Sequence, residues 1–133
     1  MLRHGKSITA SAQQSEKFDV IIVGAGISGI GSATFLRKYC PHLSFIILEA
    51  LEGHGGTWLI HKYPGIRSDS DLFTFGYGFK PWTGQPIASR DQILDYLGAA
   101  IADAGLAPFI RYGHSVTSAD WSSETARWRL KVE

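Results

Sequence analysis

Hydrophobic positions along the chain fall into runs of two kinds. Phe18–Val23 (FDVIIV) and Ser44–Leu48 (SFIIL) are short, β-branched blocks without polar alternation. Such blocks predict strands buried on both faces of a parallel sheet. Between them Ile30–Tyr39 (IGSATFLRKY) predicts a helix whose small residues Gly31, Ser32 and Ala33 permit close packing on the sheet, with Pro41 to stop it. Helical spacing returns from Ser89 to Ala104, where Ile93, Leu94, Leu97 and Ile101 share a face, Ser89-Arg90-Asp91-Gln92 has the form of a capping box, and Gly105 ends the run. Phe109–Tyr112 and Ser115–Trp121 predict short strands. In ARWRLKV, Trp128, Leu130 and Val132 alternate with Arg127, Arg129 and Lys131, which predicts a strand with one wet face; the SSET turn before it makes a hairpin. From Ala50 to Gln85 neither period holds, and an irregular excursion is expected.

Composition narrows the class. The chain has 133 residues, 44% hydrophobic and 19% charged, enough for one domain with a core, and a net charge of +1. That balance argues against nucleic acid held by phosphate neutralisation and against a polybasic membrane face. Cys40 is the single cysteine, so no internal disulfide and no cysteine metal cluster can form; it reads as a helix-end filler in a reducing compartment. His54 and His61 lack partners at metal-ligand spacing and read as polar loop residues, so no metal is expected. Residues 1–16 form a polar extension with no apolar run of secretory-signal length, and no segment reaches transmembrane length. A cytoplasmic setting follows as an expectation, with peripheral membrane association left open.

The candidate chemistry begins where the first strand ends. Gly24-Ala25-Gly26-Ile27-Ser28-Gly29 sits between a strand and a helix, and Glu49 closes the second strand about 20 residues further on, the layout of a dinucleotide-binding turn. Gly24 makes the turn, Gly26 lets the backbone approach a pyrophosphate, and Gly29 lets helix and strand pack closely; the helix N-terminus favours the anion and Ser28 adds a hydroxyl donor. Glu49 would accept from ribose hydroxyls and repel a 2′-phosphate, leaving FAD or NAD and excluding NADP from this turn. A simple nicotinamide dehydrogenase would soon return to a buried strand. This chain instead makes a glycine pair and a long aromatic excursion, which favours a flavin.

VIIVGAGISG, ILE, GGTW, YPGIRSDSD, FTFGYGFKPW and HSVTSADW together resemble the N-terminal part of class B flavoprotein monooxygenases of the Baeyer-Villiger type, the ethionamide-activating bacterial enzymes among them. The resemblance covers about residues 18–132. It implies an α/β fold: a partial Rossmann-like FAD-binding domain of parallel strands with helices, occupying residues 17–133, plus a small antiparallel hairpin. It implies that FAD lies extended over Gly24, Gly26, Ser28, Gly29 and Glu49. Gly56, Thr57, Trp58, Leu59 and Ile60 would run along the flavin end, and the Val116 backbone would meet the adenine. Asp69, flanked by Arg67 and Ser68, would lie near the isoalloxazine and nicotinamide, which makes Asp69 and Arg67 the candidate catalytic residues. Trp58 and Tyr63 would wall the cofactor off from water, and Pro64 with Gly65 would aim Arg67 and Asp69. Trp58 also reads as a core aromatic, and Arg67 with Asp69 as a surface ion pair.

In the family NADPH reduces FAD, and the substrate is a small organic ketone or thioether. That chemistry needs a second nucleotide motif, and Gly76-Tyr77-Gly78 has neither the third glycine nor the strand-turn-helix setting. The NADP-binding domain is therefore expected to be absent from these residues and the chain to be inactive alone. Two further readings stand beside this one: an FAD-binding module or split subunit completed by another protein chain, and a small NAD-binding dehydrogenase.

Overall fold

The computed structural model describes residues 15–133, so most of the polar extension lies outside the described residues. Three parallel strands, β1 (Val20–Val23), β2 (Phe45–Leu48) and β3 (Ile110–Arg111), form a sheet in that order. Val20 is in register with Phe45 and Val23 with Leu48, while Ile47 and Leu48 pair with Ile110 and Arg111 on the other side. Helix α1 (Ile27–Tyr39) links β1 to β2. Two single-turn helices, α2 (Thr57–Ile60) and α3 (Leu72–Phe75), precede the longer α4 (Arg90–Asp103). A 3₁₀ turn at Ala107–Phe109 leads into β3. The last strands, β4 (Val116–Ser122) and β5 (Arg127–Val132), form a separate antiparallel ribbon.

Every residue of β2 is buried, as its unbroken apolar run requires. The same pattern in β1 has a different outcome. Among the described residues β1 has one neighbour and an unpaired outer edge, its first three residues are half-buried, and Val23 is 61% exposed. The expectation of burial on both faces is corrected here, because coverage needs a neighbour as well as an apolar sequence. At the opposite end the two strands are tied by polar groups: Asp19 Oδ2 accepts from the Ser44 N–H and hydroxyl, both at 2.8 Å, and the Asp19 N–H donates to Ser44 Oγ at 2.9 Å.

Helix α1 begins at Ile27, three residues earlier than the apolar spacing indicates, since Gly26 already serves as its N-cap. Gly31 meets an aromatic ring and not the sheet: a Cβ there would lie 3.0 Å from Tyr77 Cε1. Ser32 faces solvent, while Gly29 and Ala33 take the buried positions. Cys40 caps the C-terminus, its N–H donating to the Leu36 carbonyl.

Helix α4 forms as its sequence predicts. Ser89 Oγ accepts from the Gln92 N–H at 3.3 Å, the Gln92 side chain accepts from the Ser89 N–H at 2.9 Å, and Ile93, Leu97 and Ile101 are buried. They join Ile30, Ile47, Leu72 and Leu106 in one core. Tyr96, on the same helix, staples the aromatic excursion: its hydroxyl accepts from the Tyr77 N–H at 2.8 Å and donates to the Lys80 carbonyl at 2.6 Å.

The stretch from Ala50 to Gln85 is thus less irregular than its pattern suggests, since α2 and α3 lie in it. Each is too short for periodicity to register. The ribbon departs from expectation in the other direction. Its turn falls at Ser123–Ala126, one residue later than SSET, with Ala126 at φ +51°. On β5 only Leu130 is half-buried; Trp128 and Val132 are as open to water as Arg127, Arg129 and Lys131.

Candidate functional site

The site forms where β1 and β2 end. Gly24, at φ +101°, turns the chain out of β1 and into α1. A Cβ on Gly29 would stand 1.9 Å from the Gly24 carbonyl oxygen, so no other residue lets the first turn of α1 approach the strand this closely. Gly26 is under no such demand. Its φ is −84°, and a Cβ there would meet only Gly56 Cα, at 3.7 Å, an ordinary contact. The protein alone has room for a Cβ at Gly26; a bound phosphate group would need that space. No side chain caps the first turn of α1 and no acidic residue lies in it, so its amides face outward to an anion unopposed. Ser28 is exposed beside them.

Glu49 is 6% exposed and holds the turn from within. Its Oε2 accepts from the Ala25 N–H at 2.7 Å and its Oε1 from the Leu51 N–H at 2.8 Å. A carboxylate oxygen has a second lone pair, so acceptor capacity toward a ribose persists. Its main chain is fixed as well: the Glu49 N–H donates to the Arg111 carbonyl and the Glu49 carbonyl accepts from the His114 N–H. That second bond leads the chain past Glu49 toward Val116, which opens β4.

The GGTW segment docks directly on the glycine turn. The Gly55 N–H donates to the Ala25 carbonyl at 2.9 Å, and a Cβ on Gly56 would come within 3.3 Å of Gly26 Cα. Gly55, at φ +127°, is pressed against α4, where a Cβ would lie 2.4 Å from Leu94 Cδ2. His54 secures the same contact, its ring Nε2 lying 3.1 Å from the Leu94 carbonyl. Thr57, Trp58, Leu59 and Ile60 follow as α2; Thr57 and Ile60 face solvent, and half-buried Trp58 packs on the core, as its reading as a core aromatic anticipates.

The YPGIRSDSD run is held by a short antiparallel bridge between Arg67 and Ser89. Ser68 is the buried member. Its N–H donates to the Ala88 carbonyl at 2.9 Å, and its Oγ accepts from the Ala88 N–H at 3.1 Å. Extended backbone around a buried Ser68 sends Arg67 and Asp69 to the solvent side. They do not pair with each other: among the described residues the ion pairs are Lys80–Asp103, Arg90–Asp91 and Arg111–Glu16. The alternative reading of Arg67 with Asp69 as a surface ion pair is therefore not met: both are exposed and neither bonds the other. Tyr63 also lies open to solvent. Among the described residues no three His, Cys, Asp or Glu side chains gather as a metal site, and no helix is long and apolar enough to cross a membrane.

Two features escaped the sequence reading: the backbone contact between the glycine turn and GGTW, and Arg90, whose guanidinium donates to the Leu59 carbonyl at 3.2 Å. Neither has a local signal, because each joins residues far apart in the chain.

A glycine turn with an acidic residue closing β2 defines a dinucleotide-binding α/β unit, and the chain belongs to the NAD(P)-binding Rossmann-like domain family, which it matches over residues 22–97. Its similarities are narrower than that family. It is 49% identical over 120 residues to the FAD-containing monooxygenase EthA of Mycobacterium tuberculosis, a match covering 90% of this chain and 24% of the relative. It superposes on an oxidised steroid monooxygenase bound to NADP with a TM-score of 0.79 at 32% identity, over 86% of this chain and 23% of that one. On OTEMO in complex with FAD and NADP the TM-score is 0.80 at 28% identity, over 90% and 24% of the two chains. The chain thus spans about a quarter of the length of the curated relatives it matches.

Proposed function

We propose that this chain binds FAD and forms the FAD-holding part of an NADPH-dependent monooxygenase of the Baeyer-Villiger or S/N-oxygenating type. The observation that carries the reading is the seating of GGTW on the glycine turn through the Gly55–Ala25 hydrogen bond, which joins a flavin-family motif to a dinucleotide turn in one surface. In this reading the pyrophosphate lies on the amides of Gly26–Gly29, where a fold with room for a Cβ carries none. Glu49 orders the turn and accepts from the ribose, and the Val116 backbone meets the adenine. Gly56 and Thr57–Ile60 line the flavin end.

FAD, once bound, supplies a redox ring that takes a hydride and passes electrons to O₂. The chain's residues position that ring and limit its contact with water. Arg67 and Asp69 are exposed and bond no side chain among the described residues, which leaves them available to a nicotinamide or a substrate beside it. Residues 17–133 form this FAD part, and NADPH is held elsewhere, because the Glu49 carboxylate repels a 2′-phosphate at the glycine turn. The substrate class is a small ketone or thioether. With one dinucleotide turn, the 133 residues by themselves take up FAD without substrate-dependent NADPH oxidation. A second reading, in which another chain completes the unit, is favoured by the outer edge of β1, which is unpaired among the described residues.

The test is Gly26→Val. A Cβ fits this position, and the loss of a glycine N-cap and the two added methyls should cost about 1–2 kcal/mol with the fold kept by circular dichroism, while flavin absorbance in the reconstituted chain should vanish. Wild-type-like flavin uptake by the variant would sink the assignment.

A further inference from the structure

Arg90 occupies a position that local stability disfavours. It is the first residue of α4, where the helix dipole opposes a positive charge, and its Nε is buried without an acceptor. Its side chain is 19% exposed. Its remaining contacts reach in two directions. The main-chain N–H donates to the Ile66 carbonyl at 3.2 Å, within the YPGIRSD run. The guanidinium Nη2 donates to the Leu59 carbonyl at 3.2 Å, and Nη1 pairs with Asp91 at 3.2 Å. Leu59 lies in the last turn of α2, whose own bonds are Ile60 N–H to Gly56 and His61 N–H to Thr57; its carbonyl is one of the groups a helix end leaves over.

From this geometry we propose that Arg90 is a positioning residue that fixes the Thr57–Ile60 turn relative to Arg67 and Asp69. Main chain and side chain of one residue thereby hold both segments that flank the flavin end. A planar guanidinium reaches Leu59 and Asp91 from one fork, which a lysine ammonium on a flexible stem does not reproduce.

The inference rests on the FAD reading for its flavin half only. The experiment uses the full chain with Arg90→Gln and Arg90→Lys, and reads amide exchange without cofactor, thermal unfolding, and the absorption spectrum and Kd of bound FAD. Exchange at Ile60 and His61 should rise about tenfold in Arg90→Gln, the factor for one lost hydrogen bond of a charged group, with Ile30 in α1 unchanged. FAD should bind about tenfold more weakly, with a shifted flavin band, and the melting temperature should stay within a few degrees. Arg90→Lys should show the same changes in smaller degree; it carries these readouts alone if Arg90→Gln does not fold. Unchanged exchange at Ile60 and His61 overturns the proposal, as does raised exchange with an unshifted flavin band, or a lysine variant identical to wild type. Wild-type chain that takes up no flavin overturns the cofactor reading and the flavin half with it, and exchange then decides the clamp by itself.

Discussion

The two sheets of this molecule contrast sharply. In the parallel sheet all four residues of β2 are buried: each pairs with β1, and Ile47 and Leu48 pair with β3 as well. The ribbon of β4 and β5 has longer strands and a fuller ladder, yet Trp121 and Trp128, cross-strand partners with ring centroids 5.5 Å apart, remain 51% and 61% exposed. The lesson is that ladder length and burial are separate quantities. A ribbon of two strands is stabilised by its cross-strand pairs and little else, whereas a short central strand gains from the hydrophobic effect on both faces. The dinucleotide turn is built on the second kind of support.

Truncating the central strand should separate the two regions most strongly. Ile47→Ala leaves a cavity under full coverage and should cost about 3 kcal/mol by chemical denaturation; a loss under about 1 kcal/mol would mean that β2 is not enclosed on both faces. Next comes the end of the same strand. Glu49→Gln keeps shape but sets an amide donor against one of the N–H groups of Ala25 and Leu51, so about 2 kcal/mol should be lost and flavin uptake weakened together. Stability falling while flavin affinity holds would separate the turn from the ligand.

On the ribbon, Trp128→Ala should cost only about 0.5–1 kcal/mol, with exchange rising in β4 and β5 and not in β2. Protection lost equally in both sheets would erase the distinction. The smallest effect concerns the tie between β1 and β2. Hydrogen bonds from the Ser44 N–H and then its hydroxyl hold the Asp19 carboxyl below its usual range. A lowered folded pKa stabilises the fold above the unfolded value, and that contribution is lost as pH falls through the folded pKa. An NMR titration should place Asp19 below a free aspartate, and Ser44→Ala, which removes the hydroxyl but keeps the backbone N–H, should raise it only part of the way back.

How much of this was legible follows from the range of each interaction. The capping box at Ser89 and the face of Ile93, Leu97 and Ile101 are local, and the sequence reading identified both. The glycine turn was legible because strand, turn and helix are contiguous. Burial of β1 was not, since apolar Val20–Val23 carries no mark of how many neighbours the strand finds. The same blindness applies to the ribbon, where alternation is real but the cover it implies is missing. Single-turn helices α2 and α3 are shorter than the period that would betray them. Arg90 reads as part of a capping box, and its reach to Leu59 spans a loop that no pattern encodes. At the site, the glycine pair and Glu49 are legible, while the bonds that join Gly55 and Glu49 to Ala25, and the approach of Gly56 to Gly26, appear only in three dimensions.

The order of the parallel sheet has a consequence for synthesis. β1 and β2 are joined by one helix and can pair soon after both have left the ribosome. β3, which closes the other edge of β2, follows only after GGTW, the aromatic excursion and α4. Through that interval Phe45–Leu48 would present an open, apolar strand edge to other nascent chains, the kind of surface that invites mispairing and chaperone capture. That edge stays open from the emergence of Leu48 from the ribosome until the emergence of Ile110, and slow translation across this interval lengthens the exposure.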